Sequence, residues 1–138
     1  MNENSLKIIE IDGVKYNIFN HYTLLWNNES PNESFEGTNI NIDLTNYTHV
    51  LIRAQTRAGS YGETINITKI LSNGSLNIFY TSGDDMSRLY LYNRFYKVTN
   101  SGIEFRNAYE TILTNDPKFT SNVSNKQLIP LEIYGVII

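Results

Sequence analysis

The chain has 138 residues, with 11 Lys and Arg against 14 Asp and Glu for a net charge of -3, and it contains no cysteine. A single domain near this size buries about two thirds of its unfolded surface, so an apolar core suffices, and neither disulfides nor thiolate metal sites are available. The basic residues are scattered rather than gathered into a stripe, which excludes a phosphate-backbone footprint and, with it, nucleic acid as a partner.

The opening MNENSLKIIEIDG lacks the basic flank and apolar run of a signal peptide, and no apolar run elsewhere approaches a membrane span. The expectation is a soluble chain made in the cytoplasm, with no membrane insertion. Composition leans toward Asn, Ile, Thr and Tyr, with 10 Tyr against 1 Trp. β-Branched and aromatic residues pack well on a pleated surface, so the predicted class is all-β.

Residues 7–19 read KIIEI, Asp12-Gly13, VKYNIF, a hairpin signal because a type I′ turn needs positive φ at both central positions. YTLLW (22–26) reads as a strand with Trp26 in the core, and NNESPNESFEG as a polar loop. In TNINIDL (38–44), Ile40, Ile42 and Leu44 share one face while Asn39, Asn41 and Asp43 meet water; THVLIRA (48–54) follows as its neighbouring strand. RAGSYGE is a loop, TINITKIL (64–71) a strand, and Asn73-Gly74 a second hairpin turn into LNIFY.

Residues 86–99, MSRLYLYNRFYKVT, place Leu89, Leu91, Phe95 and Tyr96 off any one two-period face, which predicts a bulge or double-sided burial near residues 92–94. A turn at 100–102 precedes IEFRN, residues 109–113 are expected as a helical turn, and 128–138 close the fold. Pro130, which cannot donate to a ladder, is expected at that strand's start or where no bond is needed. Short strands at this spacing predict an antiparallel β-sandwich, jelly-roll-like, over residues 22–138, with residues 1–21 as a hairpin arm.

Asp84 and Asp85 beside Gly83 suggest a Ca²⁺ site, but calcium needs six or more oxygens around a loop and a solvated turn is preferred. His21 and His49 lack metal-pair spacing and read as surface residues. There is no G-x-S-x-G, glycine-rich phosphate loop or H-E-x-x-H, no cofactor is implied, and no catalytic residue is assigned. Glu29, Glu33, Glu36 and Glu63 are carboxylates that a glycosidase would need to pair across space. Asn28, Asn46, Asn66 and Asn122 open Asn-x-Ser/Thr triplets that reflect composition. The chemistry concentrates in Tyr and Arg: Arg57 and Tyr61 in one loop, and Arg88, Tyr90, Tyr92, Arg94 and Tyr96 along one strand. Such residues pack cores and subunit interfaces first, and can also stack on the C–H face of a sugar.

The LLW strand, its Ser/Pro/Asn loop and the DL..Y of residues 43–47, followed by SGIEFRNAY (101–109) and IPLEIYG (129–135), resemble a small β-domain of tail-fibre and other virion proteins of tailed bacteriophages. The resemblance implies a compact sandwich at the tip of a trimeric fibre, binding surface polysaccharide or capping the fibre. Scaffold would fall to residues 22–26, 40–44, 50–52 and 129–135, and binding to loops 27–36, 57–62 and 81–85. The expected contact residues are Arg57, Tyr61, Asp84, Asp85, Arg88 and Tyr90. Only residues 1–21 precede the domain, so another virion component would carry it, with Ile9, Ile11, Val14, Tyr16 and Ile18 of the hairpin as the docking surface. Apolar Val136, Ile137 and Ile138 suggest burial against a neighbour.

The resulting expectation is a non-enzymatic virion subunit of tail-fibre or baseplate type for host-surface adhesion or receptor binding, self-associating as a trimer. Its partners would be other virion proteins and host cell-surface polysaccharide. A capsid-attached head fibre or decoration protein is the alternative, and a polysaccharide-cleaving enzyme a more distant one.

Overall fold

The structure is a computed structural model and describes residues 3–4, 7–19, 21–59, 62–81, 87–114 and 119–138. In chain order the strands are β1 (Glu3–Asn4), β2 (Lys7–Ile11), β3 (Val14–Phe19), β4 (His21–Asn27), β5 (Thr38–Asn41), β6 (His49–Arg57), β7 (Glu63–Lys69), β8 (Asn73–Thr81), β9 (Arg88–Thr99), β10 (Gly102–Thr114), β11 (Phe119–Val123) and β12 (Gln127–Ile137). They form an antiparallel β-sandwich, as the alternation predicts. One sheet runs β1-β4-β12-β6-β7; the other runs β11-β10-β9-β8, with β5 beside β11 on β10.

Strand β6 shows the two-residue period most plainly. Val50, Ile52 and Ala54 are fully buried while Leu51, Arg53 and Gln55 point outward. Opposite them, Leu76, Tyr96, Val98, Ile103 and Phe105 of the second sheet complete the core. Residues 38–44 alternate as expected, with Ile40 and Ile42 packed on the core and Leu44 fully buried. They do not pair with β6, however. The strand ends at Asn41 on β10, and residues 42–48 carry the chain across to the other sheet. The crossing is held by Ile42 N–H on Ser101 O and Leu44 N–H on Asn100 O, with Thr45 N–H on the Asp43 carboxylate.

The Asp12-Gly13 turn forms as predicted: both residues have positive φ (50° and 80°), and Ile11 faces Val14 across a two-residue loop. Strands β2 and β3 make a separate two-stranded sheet, whereas Glu3 and Asn4 pair with β4, so the first residues return to the sandwich.

Three local expectations are overturned. Asn73 and Gly74 are not a hairpin turn but the start of β8, and β7 and β8 lie in different sheets. The chain turns instead at Ile70 and Leu71, closed by Ser72 N–H on Lys69 O, with Leu71 at φ 68°. Glycine is required at 74 for space: a Cβ there would lie 2.3 Å from the Tyr96 ring. Second, β9 is regular, with Tyr92, Arg94, Tyr96 and Val98 buried and Phe95 outside; the irregularity is on β10, between Phe105 and Ala108. Third, residues 109–113 are strand, not a helical turn, paired with both β9 and β11. Within this strand the Glu110 carboxylate accepts from the Tyr92 hydroxyl.

Pro130 lies at the register shift of β12 opposite β6, where the ladder needs no donor, and its carbonyl accepts from Asn28 Nδ2 at 3.0 Å.

Two polar residues cross the core. The Tyr96 hydroxyl reaches β7, where it accepts from Asn66 Nδ2 and bonds Thr68 Oγ1. Strand β7 consequently turns Asn66 and Thr68 inward and leaves Ile65 and Ile67 outside, 60% and 52% exposed. Arg94 is wholly buried. It donates from Nε to Leu128 O (3.0 Å), from Nη1 to Arg106 O (2.7 Å) and from Nη2 to Gln127 O (3.2 Å), and its guanidinium lies 5.1 Å from the Phe35 ring centroid. Burial lowers its pKa to about 10. The planar fork thereby ties the β10 irregularity to the start of β12.

A tyrosine cleft as the candidate functional site

At the end of the sandwich where β6 stops and β12 begins, the two sheets part. The opening is a cleft of about 290 Å³ lined by Thr56, Arg57, Ile78, Tyr80, Tyr92 and Gln127. Its size is at the lower limit of small-ligand sites, about 300 Å³.

The cleft is built by register. Pairing of β8 with β9 sets Tyr80 opposite Tyr90 and Ile78 opposite Tyr92, and pairing of β9 with β10 sets Glu110 opposite Tyr92. Tyr80 stacks on Tyr90 with centroids 5.0 Å apart and planes 12° apart; Tyr92 lies 5.9 Å from Tyr80 at 25°. The hydroxyls form a directed chain. Tyr92 donates to Glu110 Oε2 at 2.7 Å, so its oxygen accepts from Tyr80, 3.2 Å away. Burial, then the Tyr80 and Glu110 bonds, push the Tyr92 phenol far above its ordinary value of 10.0, and it stays protonated at neutral pH. Tyr80 remains 46% exposed, and Arg57 and Gln127 approach from the facing sheet.

This arrangement offers one exposed aromatic ring beside a guanidinium, an amide and hydroxyls. It suits a neutral ligand with an apolar face and several hydroxyls.

Of the predicted contact residues, Arg57 lines the cleft, and Tyr90 adjoins it as the stacking partner of Tyr80. Arg88 is exposed two residues further along β9, paired with Thr114, and does not line the cleft. Tyr61, Asp84 and Asp85 lie outside the described residues. Arg94 and Tyr96 are core. Sequence reasoning missed Tyr80, Gln127, Thr56 and Glu110; the one local signal for them is the Phe-Tyr ending of LNIFY, which the Tyr-rich β9 strand faces.

Loop 27–36, expected to bind, is anchored to the sandwich. Phe35 packs edge-on against Trp26 (6.3 Å) and Phe105 (5.5 Å), Phe35 N–H donates to Asn125 O, and Gln55 Nε2 donates to Pro31 O. On the outer face of the first sheet Arg53 bridges Glu63 and Glu132, each at 2.5 Å, so Glu63 stands away from the cleft. His49 Nδ1 meets Thr48 Oγ1 at 2.9 Å. Among the described residues no three His, Cys, Asp or Glu side chains gather as metal ligands. In the hairpin, Ile9 pairs with Tyr16 and Ile11 with Val14, which is 51% exposed; the side chains of Ile9, Ile11, Tyr16 and Ile18 lie outside the described residues. Val136 is buried, with Ile137 and Ile138 41% and 62% exposed.

No protein-family model matches this chain, and neither a curated protein nor a solved structure matches it.

Proposed function

We propose that the chain is a non-enzymatic host-adhesion subunit of a tailed-bacteriophage virion, and that it holds surface polysaccharide in the tyrosine cleft. The observation that carries the glycan reading is the near-parallel Tyr90-Tyr80-Tyr92 group, of which Tyr80 and the buried Tyr92 line the cleft and Tyr80 is exposed, with Arg57 and Gln127 opposite. The C–H face of a pyranose is apolar and slightly electropositive, and it meets the electronegative face of an aromatic ring favourably. Arg57, Gln127 and Thr56 then supply donors and acceptors for the sugar hydroxyls. The virion setting is supported by the sequence resemblance, and the β2–β3 hairpin is the docking element in this reading.

The test is binding of purified wild-type chain and of Tyr80→Ala to immobilised bacterial capsule and lipopolysaccharide glycans. Wild type should bind one glycan class, and Y80A should lose at least about tenfold in affinity, the scale of a central aromatic anchor. Binding that Y80A leaves unchanged would remove the cleft from the account. Absence of all glycan binding, with the protein located on the capsid in particle images, would favour the head-fibre or decoration role.

A further inference from the structure

Strand β7 is the outer edge of the first sheet, and among the described residues it pairs only with β6. Edge strands in monomeric proteins are usually blunted by charged side chains, proline, a bulge or an inward-pointing charge. β7 carries charges only at its two ends, Glu63 and Lys69, and between them it has no charge, proline or bulge. It pairs with β6 without a register shift, and its outward residues in order are Glu63, Ile65, Ile67 and Lys69, all exposed.

Which backbone groups point off the edge follows from the ladder. Thr56 N–H bonds Gly62 O and Ile70 N–H bonds Thr48 O. Hydrogen-bonded pairs recur every second residue in an antiparallel ladder, so Thr64, Asn66 and Thr68 direct their N–H and C=O groups at β6. Those of Glu63, Ile65, Ile67 and Lys69 point the other way.

We propose that this edge binds a second copy of the chain, β7 against β7 in antiparallel register about a twofold axis at Asn66, joining the two first sheets into one. Charge complementarity selects this occupant. In that register Ile65 falls opposite Ile67 of the other copy, so each exposed apolar side chain meets an apolar one, and Lys69 falls opposite Glu63, where it joins the pair that Glu63 already makes with Arg53 of its own chain. The same positions supply about eight backbone hydrogen bonds, two for each bonded pair. The interface is isologous and closes at two copies; it is not the threefold assembly that the sequence resemblance implies. The inference is independent of the glycan reading.

The test is the molar mass of the full chain in solution, by light scattering across a concentration series, for four proteins. Wild type should be a dimer. Lys69→Glu sets carboxylate against carboxylate at both ends of the paired strands and should shift the dimer dissociation constant at least about tenfold upward, while the double exchange Glu63→Lys with Lys69→Glu restores it. Ile67→Pro removes an outward N–H that β6 does not use, so it should give a monomer whose circular dichroism remains that of the wild-type sandwich. A wild-type monomer at every concentration would overturn the proposal. So would a trimer, or a dimer that neither K69E nor I67P weakens.

Discussion

Replacing Gly74 by alanine tests the central packing claim of the fold. The added methyl would sit 2.3 Å from the ring and hydroxyl of Tyr96, where no real Cβ contact is found, and Tyr96 is boxed in at 2% exposure. The ring must move, and its two hydrogen bonds to Asn66 and Thr68 go with it. Overpacking costs about 1–3 kcal/mol, and two displaced buried hydrogen bonds add about 1 kcal/mol each. Removing a glycine from a strand returns about 0.5–1 kcal/mol through the unfolded chain. The net is a loss of about 3 kcal/mol, or roughly 10 °C in Tm for a chain this long. Urea unfolding followed by circular dichroism should show the midpoint fall with the slope unchanged. The same substitution in a Tyr96→Leu background, where the obstructing ring is gone, should cost less than about 0.5 kcal/mol beyond Y96L itself. A Gly74→Ala protein as stable as wild type, or one whose loss is equal in both backgrounds, would refute the reasoning.

Arg94→Lys should destabilise by about 2–3 kcal/mol in the same unfolding assay, because an ammonium cannot reproduce the planar fork that meets three carbonyls. Leu71→Gly should stabilise by about 0.5–1 kcal/mol, since a leucine at φ 68° and 70% exposure carries left-handed strain with little burial to offset it. Stability should fall as pH rises past about 10. Tyr92, Tyr96 and Tyr134 are held above their ordinary value of 10.0, chiefly by burial, so they keep protons that the unfolded chain releases, and that contribution is lost on the alkaline side. Arg94, lowered to about 10, acts in the opposite sense, because its charge-burial cost is relieved there. With three phenols against one guanidinium, the urea midpoint should be lower at about pH 11 than at about pH 9; a rise would contradict this assignment.

What is legible in the sequence is whatever a single strand decides for itself. The faces of β5 and β6 and the Asp12-Gly13 turn follow from local alternation and local φ demands. Errors arise where a distant partner overrides a local signal. Asn73-Gly74 carries turn chemistry, yet the glycine is there for the Tyr96 ring. Residues 109–113 are strand because β9 and β11 pair with them on both sides, and the Glu110 carboxylate serves Tyr92. Leu91 and Phe95 make β9 look irregular only if both are taken to belong inside. The site shows the same division. Arg57 and the tyrosines of β9 can be singled out as a chemical type, but the meeting of Tyr80, Tyr92 and Gln127 depends on which strands lie side by side.

The place of β12 in the first sheet governs the order in which the molecule can assemble. It lies between β4 and β6, so those two strands, separated by 21 residues of intervening sequence, never touch as neighbours and wait for residues 127–137 to enter between them. On the ribosome, the β8–β11 meander can zip up from consecutive hairpins as it emerges, while the opposite layer stays open until its middle strand has been synthesised. Closure by distant segments is slow compared with hairpin formation, and the open layer exposes two unsatisfied edges meanwhile. A nascent chain halted before residue 127 would therefore be half a sandwich, sensitive to proteases and to chaperone capture.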